Sequence, residues 1–68
     1  MTLEEAYGFG KRTLEEHKIA DASIDAWILL EYITKISRAM YYANPKREMT
    51  EEQKTQYKYF IKKKKKRI

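Results

Sequence analysis

The segment from Ile24 to Ile36 carries apolar side chains at Ile24, Ala26, Trp27, Ile28, Leu29, Leu30, Tyr32, Ile33 and Ile36, leaving Asp25, Glu31, Thr34 and Lys35 as its polar positions. Wound at about 3.6 residues per turn, such a segment is apolar over most of its circumference, and a helix of that kind belongs among other helices at the centre of a domain. Asp21 is a suitable N-cap for a helix over Ala22 to Ile36, with Ser23 a poorer one. Glu31 and Lys35 stand i,i+4 in the favourable order, as on a solvated strip. The whole chain has 68 residues and no cysteine, so the neighbours must come from one small domain without disulfide or thiolate metal support. Two glycines and one proline are too few for a collagenous, turn-rich all-β or low-complexity chain.

Three further helices can be read from their starts. Thr2-Leu3-Glu4-Glu5 matches a capping box, and Leu3, Tyr7, Gly10 and Leu14 follow on one helical face that should fray near His17-Lys18. Gly10 on that face costs about 1 kcal/mol relative to alanine, which suggests that a bulky side chain of another helix, Trp27, approaches the backbone there. Ser37 can cap a short helix through Ala43, packed by Met40, Tyr41 and Ala43 and ended by Asn44-Pro45. Thr50 and Gln53 form a second capping box with Met49 as its hydrophobic staple, and Gln53, Tyr57, Phe60, Ile61 and Lys64 continue at helical spacing to about Lys65. Glu51 and Glu52 at its start and lysines at its end complement the helix dipole. No strand is required.

The net charge of +5 changes meaning when divided along the chain. Residues 1–55 hold eight Lys/Arg against all ten Asp/Glu, a net −2, and residues 56–68 hold seven cations and no acid. The positive excess is a terminal run and not a binding face. The longest apolar stretch, Ala26 to Leu30, is far short of the roughly 20 residues that span a bilayer, and the start is acidic where a signal peptide is basic. These features predict a cytoplasmic chain without a membrane role.

Catalytic chemistry finds little support. One histidine and no cysteine do not make a transition-metal site, and His17 reads as a structural residue near a helix C-terminus. A nucleophile elbow and a Gly-rich oxyanion turn are both missing. Glu4/Glu5, Glu15/Glu16 and Glu51/Glu52 are adjacent pairs on helix surfaces, and Gly8-Phe9-Gly10 lacks the strand and the third glycine of a dinucleotide fingerprint. A helix-turn-helix reading would use Ser37 to Ala43 as reader, with Arg38 its one cation beside aromatic residues better suited to protein contact.

The order of these pieces resembles the N-terminal helical domain of the HemK/PrmC family, the bacterial methyltransferases that modify the glutamine of class I peptide chain release factors. The matching pieces are Leu3-x-x-Ala6-Tyr7 with Gly10 and Leu14, then Ile19, Asp25-Ala26-x-x-Leu29-Leu30-Glu31, Ile36-Ser37-Arg38, and Met49-Thr50-Glu51-Glu52-Gln53 leading a long helix into a basic end. Lys35 stands where relatives often have the glycine that ends the second helix, and Lys18 where glycine is common before the isoleucine. In relatives the basic end leads through a Pro-Leu-Gln-Tyr-Ile-like segment into an S-adenosylmethionine-binding domain, and an Asn-Pro-Pro-Tyr motif there grips the substrate amide. Asn44-Pro45-Lys46-Arg47 matches only the first two residues of that motif. The resemblance implies a recognition and scaffolding domain with no catalysis of its own, S-adenosylmethionine belonging to the catalytic domain of a longer parent.

The expectation is therefore an all-α fold, a compact bundle of four or five short helices. Its core should hold Tyr7, Leu14, Trp27, Ile28, Leu30, Ile33, Tyr57, Phe60 and Ile61. Residues 1–68 form a single helical domain, with 62–68 a basic junction toward a catalytic domain. Expected partners are a class I release factor and the parent's own catalytic domain. The contact residues are Arg38, Tyr41, Tyr42, Lys46 and Arg47, because arginine and aromatics are enriched at interfaces. The alternatives are an RNA- or ribosome-binding module acting through Lys62 to Arg67, and a free-standing protein-interaction module.

Overall fold

The computed structural model describes residues 1–65, and the expected junction residues Lys66, Arg67 and Ile68 lie outside the described residues. Helix α1 spans Leu3–Glu16 and begins with the expected box: the Glu5 N–H donates to Thr2 Oγ1 at 3.2 Å and the Thr2 N–H to Glu5 Oε1 at 2.8 Å. The Thr2 N–H, followed by the Thr2 hydroxyl beside it, holds the Glu5 carboxyl below its usual range. The next free donors are met from far along the chain, the Leu3 N–H by the Arg47 carbonyl and the Glu4 N–H by the Pro45 carbonyl, both at 3.0 Å. One isolated bridge pairs Thr2 with Glu48. A helix start normally leaves four N–H groups unpartnered, and here the segment after Pro45 is tied down by meeting them.

At the other end of α1 the Ile19 N–H donates to the Leu14 carbonyl and the Lys18 N–H to the Glu15 carbonyl, both at 3.0 Å, with Lys18 at φ 59°. This is a Schellman motif, closed by the apolar pair Leu14 and Ile19. Helix α2 spans Ala22–Thr34 and ends at Lys35, also left-handed at φ 60°. It therefore stops two residues before the expected Ile36. The Thr34 hydroxyl donates to the Leu30 carbonyl at 2.8 Å and accepts the Ile36 N–H at 3.3 Å, so a residue expected on the polar strip is buried and closes the helix. Asp21 occupies the N-cap position without a side-chain hydrogen bond. Lys35 lies over the Tyr32 ring at 4.8 Å.

Helix α3, Arg38–Ala43, is capped by Ser37, whose Oγ accepts the Met40 N–H at 3.3 Å. Helix α4, Glu51–Lys65, starts with the Thr50–Gln53 box, both of whose bonds form, and Met49 is buried in front of it. Among the described residues there is no strand, and α1, α2 and α4 pack against one another with α3 lying outside them.

The core is Leu3, Ala6, Leu14, Ala22, Ala26, Trp27, Leu30, Ile36, Met49, Tyr57 and Ile61. Burying each large aliphatic side chain contributes about 1.5–3 kcal/mol. Tyr57 is completely buried, and its hydroxyl donates to the Ala26 carbonyl at 2.9 Å. It is Tyr57 with Ile61, and not Trp27, that meets Gly10, where an added methyl group would overlap the Tyr57 hydroxyl. Tyr57 of α4 thereby packs against a glycine of α1 and bonds to the backbone of an alanine of α2. Helix α2 is less enclosed than its composition suggests, because Ile24, Ile28 and Tyr32 line an exposed face at four-residue spacing. Ile28 is 53% exposed and leaves the expected core, Tyr7 and Ile33 are half-buried at its margin, and Phe60, also half-buried, lies against Tyr32. Met40 and Ala43, expected to pack α3, are exposed.

Candidate functional site: an aromatic cleft edged by arginine

Each helix but α4 supplies a wall of one cleft. Tyr7 comes from α1, one turn beyond Glu4, and Trp27 from the middle of α2. Ser37 fixes the start of α3, which sets Arg38, Tyr41 and Tyr42 along the same opening. Together the five residues line a cavity of about 200 Å³. The rings meet edge to face: Tyr7 to Trp27 at 6.4 Å, Tyr7 to Tyr41 at 6.3 Å, Trp27 to Tyr41 at 5.3 Å and Tyr41 to Tyr42 at 5.5 Å between centroids. Such pairs contribute about 0.5–1.5 kcal/mol beyond the area they bury, which makes the walls mutually supporting. Arg38 places its guanidinium carbon 5.3 Å from the Trp27 ring centre.

The cleft grades from closed to open. Trp27 is 7% exposed at its floor, Tyr41 half-buried, and Tyr42 71% exposed at its rim. Burial, followed by the nearby Glu4 carboxylate, raises the Tyr41 hydroxyl above its ordinary range. Glu4 is itself engaged by Lys46, whose ammonium lies 2.8 Å from Glu4 Oε1 and is raised by that hydrogen bond. Of the expected contact residues, Arg38, Tyr41 and Tyr42 are thus brought together, and Lys46 sits beside the start of α1 through Glu4. Arg47 is exposed, and its bonds among the described residues are backbone ones, its carbonyl accepting from the Leu3 N–H and its N–H donating to the Asn44 carbonyl. Tyr7 and Trp27 were expected in the core, and they serve both core and cleft. A sequence pattern assigns a side chain to one face, and only the placement of α3 beside α1 and α2 shows that one edge of each ring is left uncovered.

Two of the remaining candidate groups have structural partners. His17 Nδ1 lies 2.9 Å from the Thr13 carbonyl, and Glu51 pairs with Lys54 at 3.1 Å. No group of three or more His, Cys, Asp or Glu that could hold a metal occurs among the described residues. In the basic run, Lys63 covers the Tyr59 ring at 5.2 Å and Lys64 faces Asp25 at 3.8 Å. A second, more open cavity of about 440 Å³ lies there between α2 and α4, lined by Leu29, Phe60, Lys63 and Lys64. No helix among the described residues is long and apolar enough to cross a membrane.

Fold and site define a small all-α domain with an aromatic, arginine-edged cleft. The model of the PrmC N-terminal domain family matches residues 5–68, and the chain belongs to that family, which associates it with the PrmC methyltransferases. No curated protein and no solved structure was found to match it.

Proposed function

We propose that the chain is the substrate-recognition and scaffolding domain of an S-adenosylmethionine-dependent protein-(glutamine-N5) methyltransferase acting on class I peptide chain release factors in the cytoplasm. The observation that carries this reading, beside family membership, is the cleft itself. Arg38, Tyr41 and Tyr42 converge on one opening over Trp27, and these are the residue types that dominate protein recognition energies. Lys46 and Arg47 extend the contact along the start of α1.

On this reading methyl transfer itself is left to another domain. A cavity of about 200 Å³ is below the roughly 300–1,000 Å³ of small-molecule sites, too small for a whole nucleoside cofactor. The larger opening offers two lysines and no acid for ribose hydroxyls. On this reading S-adenosylmethionine is bound by a separate catalytic domain, and this domain's contribution is to bring the release factor to it.

Removing residues 1–68 from the parent enzyme is expected to raise KM for the release factor while leaving cofactor affinity largely intact. Methylation kinetics unchanged by that deletion would refute the recognition role.

A further inference from the structure

The size and charge of the cleft restrict what the partner can insert. At about 200 Å³ it is much larger than the roughly 30 Å³ of one water and smaller than a metabolite site, which suits one or two side chains of a protein segment. Its walls are four aromatic rings, attractive to an apolar side chain. They would also attract a cation, but Arg38 already lies over Trp27, and a second positive group would meet like charge at that position. Meanwhile the guanidinium has no carboxylate in any ion pair found among the described residues, the nearby Glu4 being paired with Lys46. A weakly hydrated, planar, fivefold donor at the mouth of an apolar cleft is suited to a carboxylate.

Resting on the recognition reading above, the geometry points to a receptor for a short acidic segment of the partner protein. One apolar side chain enters between Trp27, Tyr41 and Tyr42, and an adjacent Asp or Glu carboxylate pairs with Arg38. The groove between α2 and α4 is a poorer candidate for this ligand, because Lys64 already faces Asp25 and Lys63 is laid over Tyr59.

Trp27 is the one tryptophan in the chain, so its indole N–H is a single reporter resonance at the floor of the cleft. The test is an NMR titration of the 68-residue chain with three blocked tetrapeptides, Asp-Leu-Phe-Glu, its amide counterpart Asn-Leu-Phe-Gln, and the basic Lys-Leu-Phe-Lys. The acidic peptide is expected to move the indole resonance saturably and to bind about fivefold more tightly than the amide peptide, the size of one partly exposed charge pair. In Arg38→Gln that difference should vanish, and in Tyr42→Ala both peptides should weaken. Arg38 and Tyr42 are exposed, so both variants keep the core residues. Three results overturn the proposal: an unmoved indole at millimolar acidic peptide, equal binding of the amide or basic peptide, or shifts centred on Leu29 and Phe60. A parallel titration with an intact class I release factor separates the two readings. If the release factor moves the indole and the peptides show no acidic preference, only the acidic-segment assignment falls; if the release factor leaves the indole unmoved, the recognition reading falls.

Discussion

Gly10 leaves the space on α1 that the Tyr57 side chain of α4 fills. Glycine in a helix is ordinarily about 1 kcal/mol worse than alanine, yet here a methyl group would overlap the Tyr57 hydroxyl and press on Ile61. Gly10→Ala is therefore expected to destabilise by about 1–3 kcal/mol in urea unfolding, the usual cost of overpacking. Tyr57→Phe removes one buried hydrogen bond to the Ala26 carbonyl and should cost about 1 kcal/mol. In the double variant the overlapping oxygen is gone, so the two losses should sum to less than their separate values. Tyr57 also gives an alkaline signature, because burial raises its hydroxyl well above the ordinary 10.0. The folded state holds that proton when the unfolded chain has released it, so its contribution is complete below about pH 10 and declines as pH rises through the folded value. The stability difference between wild type and Tyr57→Phe, followed by urea unfolding at increasing pH, should shift in favour of the variant above pH 10.

At the scale of the elements, the helix ends divide into those written locally and those imposed by packing. Both capping boxes and the Ser37 cap were legible because each motif needs only residues within three positions of one another, and all of their bonds form. The left-handed ends were not written in the residues present. Lysine has no preference for positive φ, and the two positions stood out only because relatives often carry glycine there. Lys18 and Lys35 occupy that conformation at φ 59° and 60°. A non-glycine residue in the left-handed region costs about 1–2 kcal/mol, partly offset by the greater freedom glycine has when unfolded. Lys18→Gly and Lys35→Gly should each stabilise by about 0.5–1 kcal/mol in thermal or urea unfolding. Thr50→Ala is expected to act oppositely, costing about 1 kcal/mol by removing the acceptor for the Gln53 N–H.

At the scale of the whole molecule, the fold class was legible from periodicity and few breakers, but the partition of α2 between core and surface was not. Its apolar side chains run nearly all round, and the sequence offers no way to tell that only α1 and α4 pack on it closely, leaving Ile28 in solvent. The cleft was half legible for the same reason. Arg38, Tyr41 and Tyr42 were chosen by residue type, whereas Tyr7 and Trp27 joined them only through the tertiary placement of α3. The segment from Pro45 to Met49 completes that arrangement, since its backbone meets the first turn of α1 and carries Lys46 to Glu4. Recognition through the cleft is tested by a release-factor titration of the chain with the Trp27 indole observed. A saturable change at Trp27 is expected, and Arg38→Gln and Tyr42→Ala should weaken it. A release factor that leaves Trp27 unchanged, or binds both variants as tightly as the wild type, would contradict recognition through the cleft.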